Sequence, residues 1–89
     1  MDKAEYYILI FNSSSHREIL FKILVQNNIK GVKMATPCTI AKGCYKSIKI
    51  EEKDFEQVLK IINERKLNIR EIYMRVLIKK SFFYKKVKR

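Results

Sequence analysis

The sequence predicts a single α+β domain with a ferredoxin-like fold, in which two helices cover one face of an antiparallel sheet. Two observations support this class. A chain of 89 residues is long enough for one two-layer core. Its apolar residues follow strand periodicity in four segments and helix periodicity in two, in the order β-α-β-β-α-β. That order is typical of the split βαβ sandwich with sheet order 4-1-3-2.

The first half of the chain contains a strand, a helix and a second strand. Residues 6–11 are aromatic and β-branched and are apolar on both sides, as in a central strand. Ser15 and Glu18 have the spacing of a capping box, so we expect a helix with Ser15 as its N-cap. Its apolar face is predicted at Ile19, Leu20, Ile23 and Leu24. A short strand follows at about residues 30–36.

The second half continues with a strand, a helix and a last strand. Residues 45–50 alternate, with Ile48 and Ile50 facing the core. Acidic residues within 51–54 open the second helix, where the positive end of the helix dipole favours negative charge. Its apolar face is predicted from residues at the spacing i, i+3, i+4 and i+7: Phe55, Val58, Leu59 and Ile62. The last strand is predicted from residue 72 to 78. No further element is predicted after residue 78, and the residues that follow are mainly basic and aromatic. We therefore divide the chain into a folded domain, 1–78, and a basic aromatic C-terminal tail, 79–89.

The formal charge of +11 is unevenly distributed along the chain. Residues 1–71 contain thirteen Lys or Arg and nine Asp or Glu, whereas residues 72–89 contain seven basic residues and no acidic one. Clustered cations bind polyanions by releasing counterions, so the tail is a candidate for binding RNA or an acidic membrane surface. No apolar run is long enough for a transmembrane segment. Two cysteines without a secretory signal favour a cytoplasmic protein with free thiols.

The loop between the second and third strands contains the candidate reactive group, Cys44. Pro37 fixes φ and removes a backbone donor, and Gly43 permits positive φ. Residues 36–44 therefore have the composition of a loop between two strands and not of a strand. The predicted topology brings this loop to the start of the first helix, whose free N–H groups stabilise a thiolate. Lys42 and Lys46 flank Cys44 and favour the same ionised form. In the alternative interpretation, Cys44 is a small buried apolar residue.

Two further residues are candidates for assisting Cys44. Cys38 is close enough in sequence to act as a resolving thiol that forms a disulfide with Cys44. His16 either assists proton transfer or simply occupies the first helical turn. Two cysteines and one histidine are too few for a typical structural zinc site, so no metal is expected. The usual catalytic signatures and phosphate loops are absent from the sequence, so we expect no cofactor and no stand-alone enzyme.

A binding module is the competing function. The predicted topology is shared with RNA-binding domains that stack bases on an open sheet face. Here that face would present Tyr45 and Tyr73 with the cations Lys33, Lys49 and Arg75. The tail would add a second basic group, consisting of Lys79, Lys80, Lys85 and Lys86. The same face could instead be solvated, contact another protein or pair in a homodimer.

The sequence resembles a family of small domains described as selenium/sulfur carrier-like, over about residues 6–73. The matching elements are a first strand and turn, followed by single positions at characteristic spacing: residues 7–13, Ser15, His16, Thr36, Pro37, Ile40, Cys44, Ile72 and Tyr73. The resemblance implies that Cys44 carries sulfur or selenium as a persulfide or selenopersulfide between a donor protein and an acceptor protein. The chain departs from the family pattern twice. Cys38 replaces the usual Arg, and Tyr45 replaces the Gly that usually follows the cysteine.

Overall fold

The computed structural model describes residues 3–37, 40 and 45–87. These residues form two helices and one sheet of five antiparallel strands. In chain order the elements are β1 (Lys3–Phe11), α1 (Ser14–Gln26), β2 (Gly31–Ala35), β3 (Lys46–Glu51), α2 (Phe55–Arg65), β4 (Ile69–Ile78) and β5 (Ser81–Lys86). A single 3₁₀ turn, Glu52–Asp54, leads into α2. The α+β class predicted from the sequence is confirmed.

The strand order is β2-β3-β1-β4-β5, which differs from the predicted order 4-1-3-2 by an additional strand. The first four strands have the neighbours expected of them, because β1 pairs with both β3 and β4 and β2 pairs with β3. The fifth strand lies beside β4 and comes from the segment predicted as a tail. The division of the chain at residue 78 stays a prediction.

Strand β1 occupies the centre of the sheet, as its two-sided apolar sequence predicts. Leu9 lies opposite Ile48 on β3 and Ile72 on β4, and all three are buried. They pack with four helix residues in the main core: Leu20 and Leu24 of α1 and Val58 and Ile62 of α2. Ile8 and Ile10 alternate to the other side of β1 and are 0% exposed. Neighbouring side chains therefore cover that side of β1 as well.

Helix α1 begins two residues earlier than predicted. Its N-cap is Ser13, whose backbone is extended and whose Oγ accepts a hydrogen bond from the Ser15 N–H at 3.1 Å. The prediction of Ser15 as N-cap is therefore wrong. The Glu18 carboxylate, expected to close a capping box, lies 3.2 Å from Lys33 Nζ on β2. The hydrogen bond from Lys33 is the main reason that the pKa of Glu18 is lowered.

The buried face of α1 is narrower than predicted. Leu20, Ile23 and Leu24 are buried, but Ile19 is 45% exposed. The helix packs chiefly against β2 and β3. Helix α2 contacts the central strand through its first residue. Phe55 stacks on Tyr7 of β1, with 3.7 Å between the ring centroids.

A two-residue turn joins β4 to β5. Ile78 lies opposite Ser81, and both intervening residues, Lys79 and Lys80, have positive φ angles of 48° and 67°. Positive φ at both central positions is the geometry of a type I′ hairpin turn, which usually contains Asn or Gly. The Lys-Lys sequence lacks that signal, so the sequence analysis did not predict the hairpin. Beyond β5, the Val87 N–H donates to the Ile72 carbonyl at 2.8 Å.

Candidate functional site

Three chain segments meet at one end of the sheet. Phe11, the last residue of β1, lies opposite Lys46, the first residue of β3. Helix α1 starts three residues after Phe11, and its N-terminal turn therefore lies at this same end. The Thr36 N–H donates to the Tyr45 carbonyl at 3.1 Å. Loop 37–44 therefore leaves and rejoins the sheet at the end where α1 begins.

The base of this loop is held by a buried polar pair. The hydroxyl groups of Thr36 and Ser47 are hydrogen-bonded to each other, and the two residues are 7% and 0% exposed. Within the loop, the Ile40 N–H donates to the Pro37 carbonyl at 3.1 Å, which forms a turn. Thr36 and Ser47 were not predicted as site residues, since a hydroxyl pair across two strands leaves no local sequence signal.

His16 connects α1 to the chain just before β4. Its Nδ1 accepts a hydrogen bond from the Asn68 N–H at 2.8 Å. In the neutral ring the proton is then on Nε2. This contact gives His16 a structural role that the sequence analysis did not predict, and its predicted role in proton transfer stays a prediction.

Arg70 brings a positive charge to the same end of the sheet. Its guanidinium carbon lies 4.5 Å from the centre of the Tyr45 ring, and its Nη1 donates to Asn12 Oδ1 at 3.3 Å. Tyr45 immediately follows Cys44 in the chain. Sequence reasoning missed Arg70 because it placed the start of the last strand at residue 72. In fact β4 begins at Ile69, beside a shift in register opposite Phe11.

Arg17 adds a second guanidinium in the first turns of α1. Its side chain is 14% exposed, and its Nη2 lies 3.1 Å from Glu18 Oε1. The buried Nε has no hydrogen-bond partner among the described residues. The first turn of α1 contains no acidic residue. Because the Arg17 charge is paired with Glu18, the free N–H groups of the first turn are what favour an anion at this helix end.

Cys44, Cys38 and Lys42, the predicted residues closest to the chemistry, lie outside the described residues. The predictions made for these three residues stay predictions. Four other predicted residues, Ser15, His16, Pro37 and Lys46, belong to the segments that meet at the loop end of the sheet. Ser15 and Lys46 are exposed and Pro37 is partly buried.

Only some of the residues that were predicted to bind nucleic acid lie on one surface. Tyr73 and Arg75 alternate to the side of β4 that faces away from the helices, as does Lys49 on β3. Lys33 was predicted on this open face, and that prediction is wrong. It lies opposite Ile48 on the helix side, 4.8 Å from the centre of the Phe21 ring. The Tyr45 ring contacts Arg70 at the loop end of the sheet, and its predicted role in binding nucleic acid stays a prediction. The other four are in the hairpin, with Lys79 and Lys80 in the turn and Lys85 and Lys86 in β5.

The described residues contain neither a cluster of metal ligands nor a membrane-spanning helix. Across residues 3–37, 40 and 45–87, no group of three His, Cys, Asp or Glu side chains is arranged as metal ligands. Within the same ranges, no helix is both long enough and apolar enough to cross a bilayer.

Comparison with known proteins identifies one family. No curated protein matches the chain. Residues 6–74 match the model of a family described as "Putative Se/S carrier protein-like". The match begins within β1, includes α1, the cysteine-containing loop and α2, and ends within β4. Because it spans well over half of the 89 residues, this chain belongs to that carrier-like family.

Proposed function

We propose that the protein is a small thiol carrier that holds sulfur or selenium on Cys44 and passes it from a donor protein to an acceptor protein. One observation carries the proposal. In a member of the carrier-like family, the loop that contains Cys44 begins and ends where α1 starts. The same proposal assigns the protein to the cytoplasm, where thiols stay reduced.

The charges around the loop support a reactive thiolate. A helix N-terminus and neighbouring cations are the two usual means by which proteins lower the pKa of a cysteine. Here the start of α1 has no acid in its first turn, and Arg70 contacts Tyr45, the neighbour of Cys44. A hydrogen bond to Asn12 and an ion pair with Glu71, at 3.9 Å, hold Arg70 at this position. These contacts would favour loss of the proton from Cys44 and so its action as a nucleophile.

The proposed transfer consists of two thiol exchange steps and needs no oxidant. The Cys44 thiolate attacks the outer sulfur of a persulfide on the donor. A new S–S bond forms while the donor's S–S bond breaks, and the donor cysteine leaves as a thiolate. A thiolate of the acceptor then attacks the outer sulfur on Cys44 in the same way, and Cys44 leaves as a thiolate. Selenium would be transferred by the same exchange.

Intact mass spectrometry tests this function. The reduced protein is incubated with a cysteine desulfurase and free cysteine, which supply persulfide sulfur. We expect a gain of about 32 Da, one sulfur atom, which disappears in Cys44→Ser. Cys38→Ser is the matched control, because it removes a thiol from the same loop, and it should still gain the mass.

Three results would contradict the proposal. The first is that the wild-type chain gains no sulfur under conditions that load a known acceptor thiol. The second is that Cys44→Ser is loaded as well as the wild type. The third is that loaded Cys44 does not pass its sulfur to a small-molecule thiol.

A further inference from the structure

The open face of the sheet contains a cluster of aromatic rings around one arginine. We call it the aromatic platform, and it consists of Tyr6, Arg75, Phe82 and Tyr84. The guanidinium carbon of Arg75 lies 4.1 Å from the centre of the Phe82 ring, 5.5 Å from that of Tyr6 and 6.0 Å from that of Tyr84. The platform therefore extends over three neighbouring strands.

Strand register places these side chains side by side. Tyr6 lies opposite Arg75, and Arg75 lies opposite Tyr84, so the three form one row across β1, β4 and β5. Phe82 follows two residues away on the same side of β5. Adjacent strands are about 4.8 Å apart, so the rings are closely spaced. A hydrogen bond of 2.7 Å from Arg75 Nη1 to the Tyr6 hydroxyl fixes their arrangement.

The rings remain accessible. Phe82 is 48% exposed, and Leu77 beside it is 41% exposed. Flat aromatic surface is thus available on the open face of the sheet.

The surroundings of the platform are basic. Lys49 Nζ lies 5.0 Å from the centre of the Tyr6 ring, and Lys79 and Lys80 form the turn between the two outer strands. Residues 72–89 contain no acid. Three carboxylates are near this surface. Glu51 is 3.7 Å from Lys53 Nζ, Glu71 is 3.9 Å from Arg70 Nε, and the charge of Glu5 acts on Arg75. Because Glu51 and Glu71 have cationic partners of their own, Lys49, Lys79 and Lys80 leave the net charge near the platform positive.

We infer that the aromatic platform binds single-stranded nucleic acid. Bases stack on exposed aromatic rings and on the face of an arginine, while phosphates contact lysines beside them. Positive charge complements the phosphates, and aromatic residues on neighbouring strands of a sheet can stack two or three bases. An acidic peptide would use the lysines but would gain little from the exposed rings, and a duplex would hide its base faces. The inference is independent of the thiol and of the carrier function.

Fluorescence anisotropy with labelled oligouridine and oligothymidine of about 12 nucleotides tests the inference. The decisive pair of variants is Phe82→Ala and Phe83→Ala. The two residues are adjacent and are 48% and 49% exposed, but Phe83 lies opposite Val76 and so alternates to the other side of β5. We expect Phe82→Ala to weaken binding about tenfold or more. Phe83→Ala should change it less than threefold.

A second pair of variants tests the role of the lysines even if Phe82→Ala does not fold. Lys79→Gln with Lys80→Gln should reduce the dependence of log affinity on log salt by about 1.4. The control, Lys22→Gln with Lys60→Gln, removes two exposed lysines from the helices and should leave the salt dependence unchanged. Cys44→Ser should bind as the wild type does.

Each of the following outcomes would overturn the inference. One is a failure of oligonucleotides to bind even at low salt, and another is a duplex of the same length that binds as tightly as a single strand. Equal losses in Phe82→Ala and Phe83→Ala would show that the open face is not used. Binding of polyglutamate with the same sensitivity to Phe82→Ala would identify an acidic protein as the partner.

Discussion

At the scale of single residues, a hydrogen bond between two buried hydroxyl groups holds the base of loop 37–44. Thr36 and Ser47 are both buried, and each satisfies the other. A buried polar group that loses its partner keeps its desolvation penalty without a compensating bond. The geometry of the loop end therefore depends on two small hydroxyl groups rather than on a large apolar contact.

We predict that Thr36→Val lowers the free energy of unfolding by about 1–3 kcal/mol, because the Ser47 hydroxyl is left buried and unpaired. The double variant Thr36→Val with Ser47→Ala should recover most of the loss, since neither hydroxyl remains. Urea unfolding of the wild type, the two single variants and the double variant measures the coupling. Losses that simply add in the double variant would show that the two hydroxyls do not depend on each other.

At the scale of secondary structure, the sequence predicted those elements whose periodicity was continuous. β1 was predicted from its two-sided apolar run, and α2 from the spacing of Phe55, Val58, Leu59 and Ile62. The inward positions Ile48 and Ile50 on β3 were also correct. In each case the local pattern and the tertiary environment favour the same structure, so no long-range information was needed.

Element boundaries were predicted less well, because they depend on contacts between distant residues. Helix α1 starts at Ser14 since Ser13 caps it directly after β1, although Ser15 and Glu18 have the spacing of a capping box. Glu18 instead pairs with Lys33, which is fifteen residues away. The grouping of Asn12, Tyr45 and Arg70 likewise arises only when three separate segments fold together.

The turn of the β4–β5 hairpin has a sequence that is unusual for its geometry. Lys79 and Lys80 both adopt left-handed conformations that cost L-residues roughly 1–2 kcal/mol each.

We predict that Lys79→Asn with Lys80→Gly raises the free energy of unfolding by about 1 kcal/mol, because Asn-Gly favours a type I′ turn. Urea unfolding measures the change. Replacement of Lys53 and Lys60 by Asn and Gly, outside the turn, is the control and should be destabilising. An unchanged or lower stability in the turn variant would argue against this turn geometry.

At the scale of the whole molecule, the burial of tyrosine side chains on both sides of the sheet affects how the stability of the protein changes at alkaline pH. Burial is the main cause that raises the pKa of Tyr7, Tyr73 and Tyr84 above 10.0. These phenols lose their protons more readily in the unfolded chain than in the folded one. Their contribution to stability is therefore complete below pH 10.0, and it is lost as the pH rises through their folded pKa values.

We predict that ultraviolet titration of native protein shows a tyrosinate transition displaced upward relative to protein unfolded in guanidinium. The free energy of unfolding should fall as the pH rises above about 10. Tyr84→Phe should reduce the displaced part of the transition, because it removes one of the three phenols. Coincident titration curves for native and unfolded protein would contradict the prediction.

Strand β5 has a consequence for how the molecule behaves among its own copies. The family match ends at residue 74, and the following hairpin hydrogen-bonds along the outer side of β4. Without such a partner, the backbone of β4 would be free to template another chain by strand addition, the first event in fibril growth. With it, the outermost strand ends in Lys85 and Lys86, and a parallel, in-register pairing of two such strands would juxtapose like charges. We therefore expect the hairpin to disfavour this in-register growth of fibrils.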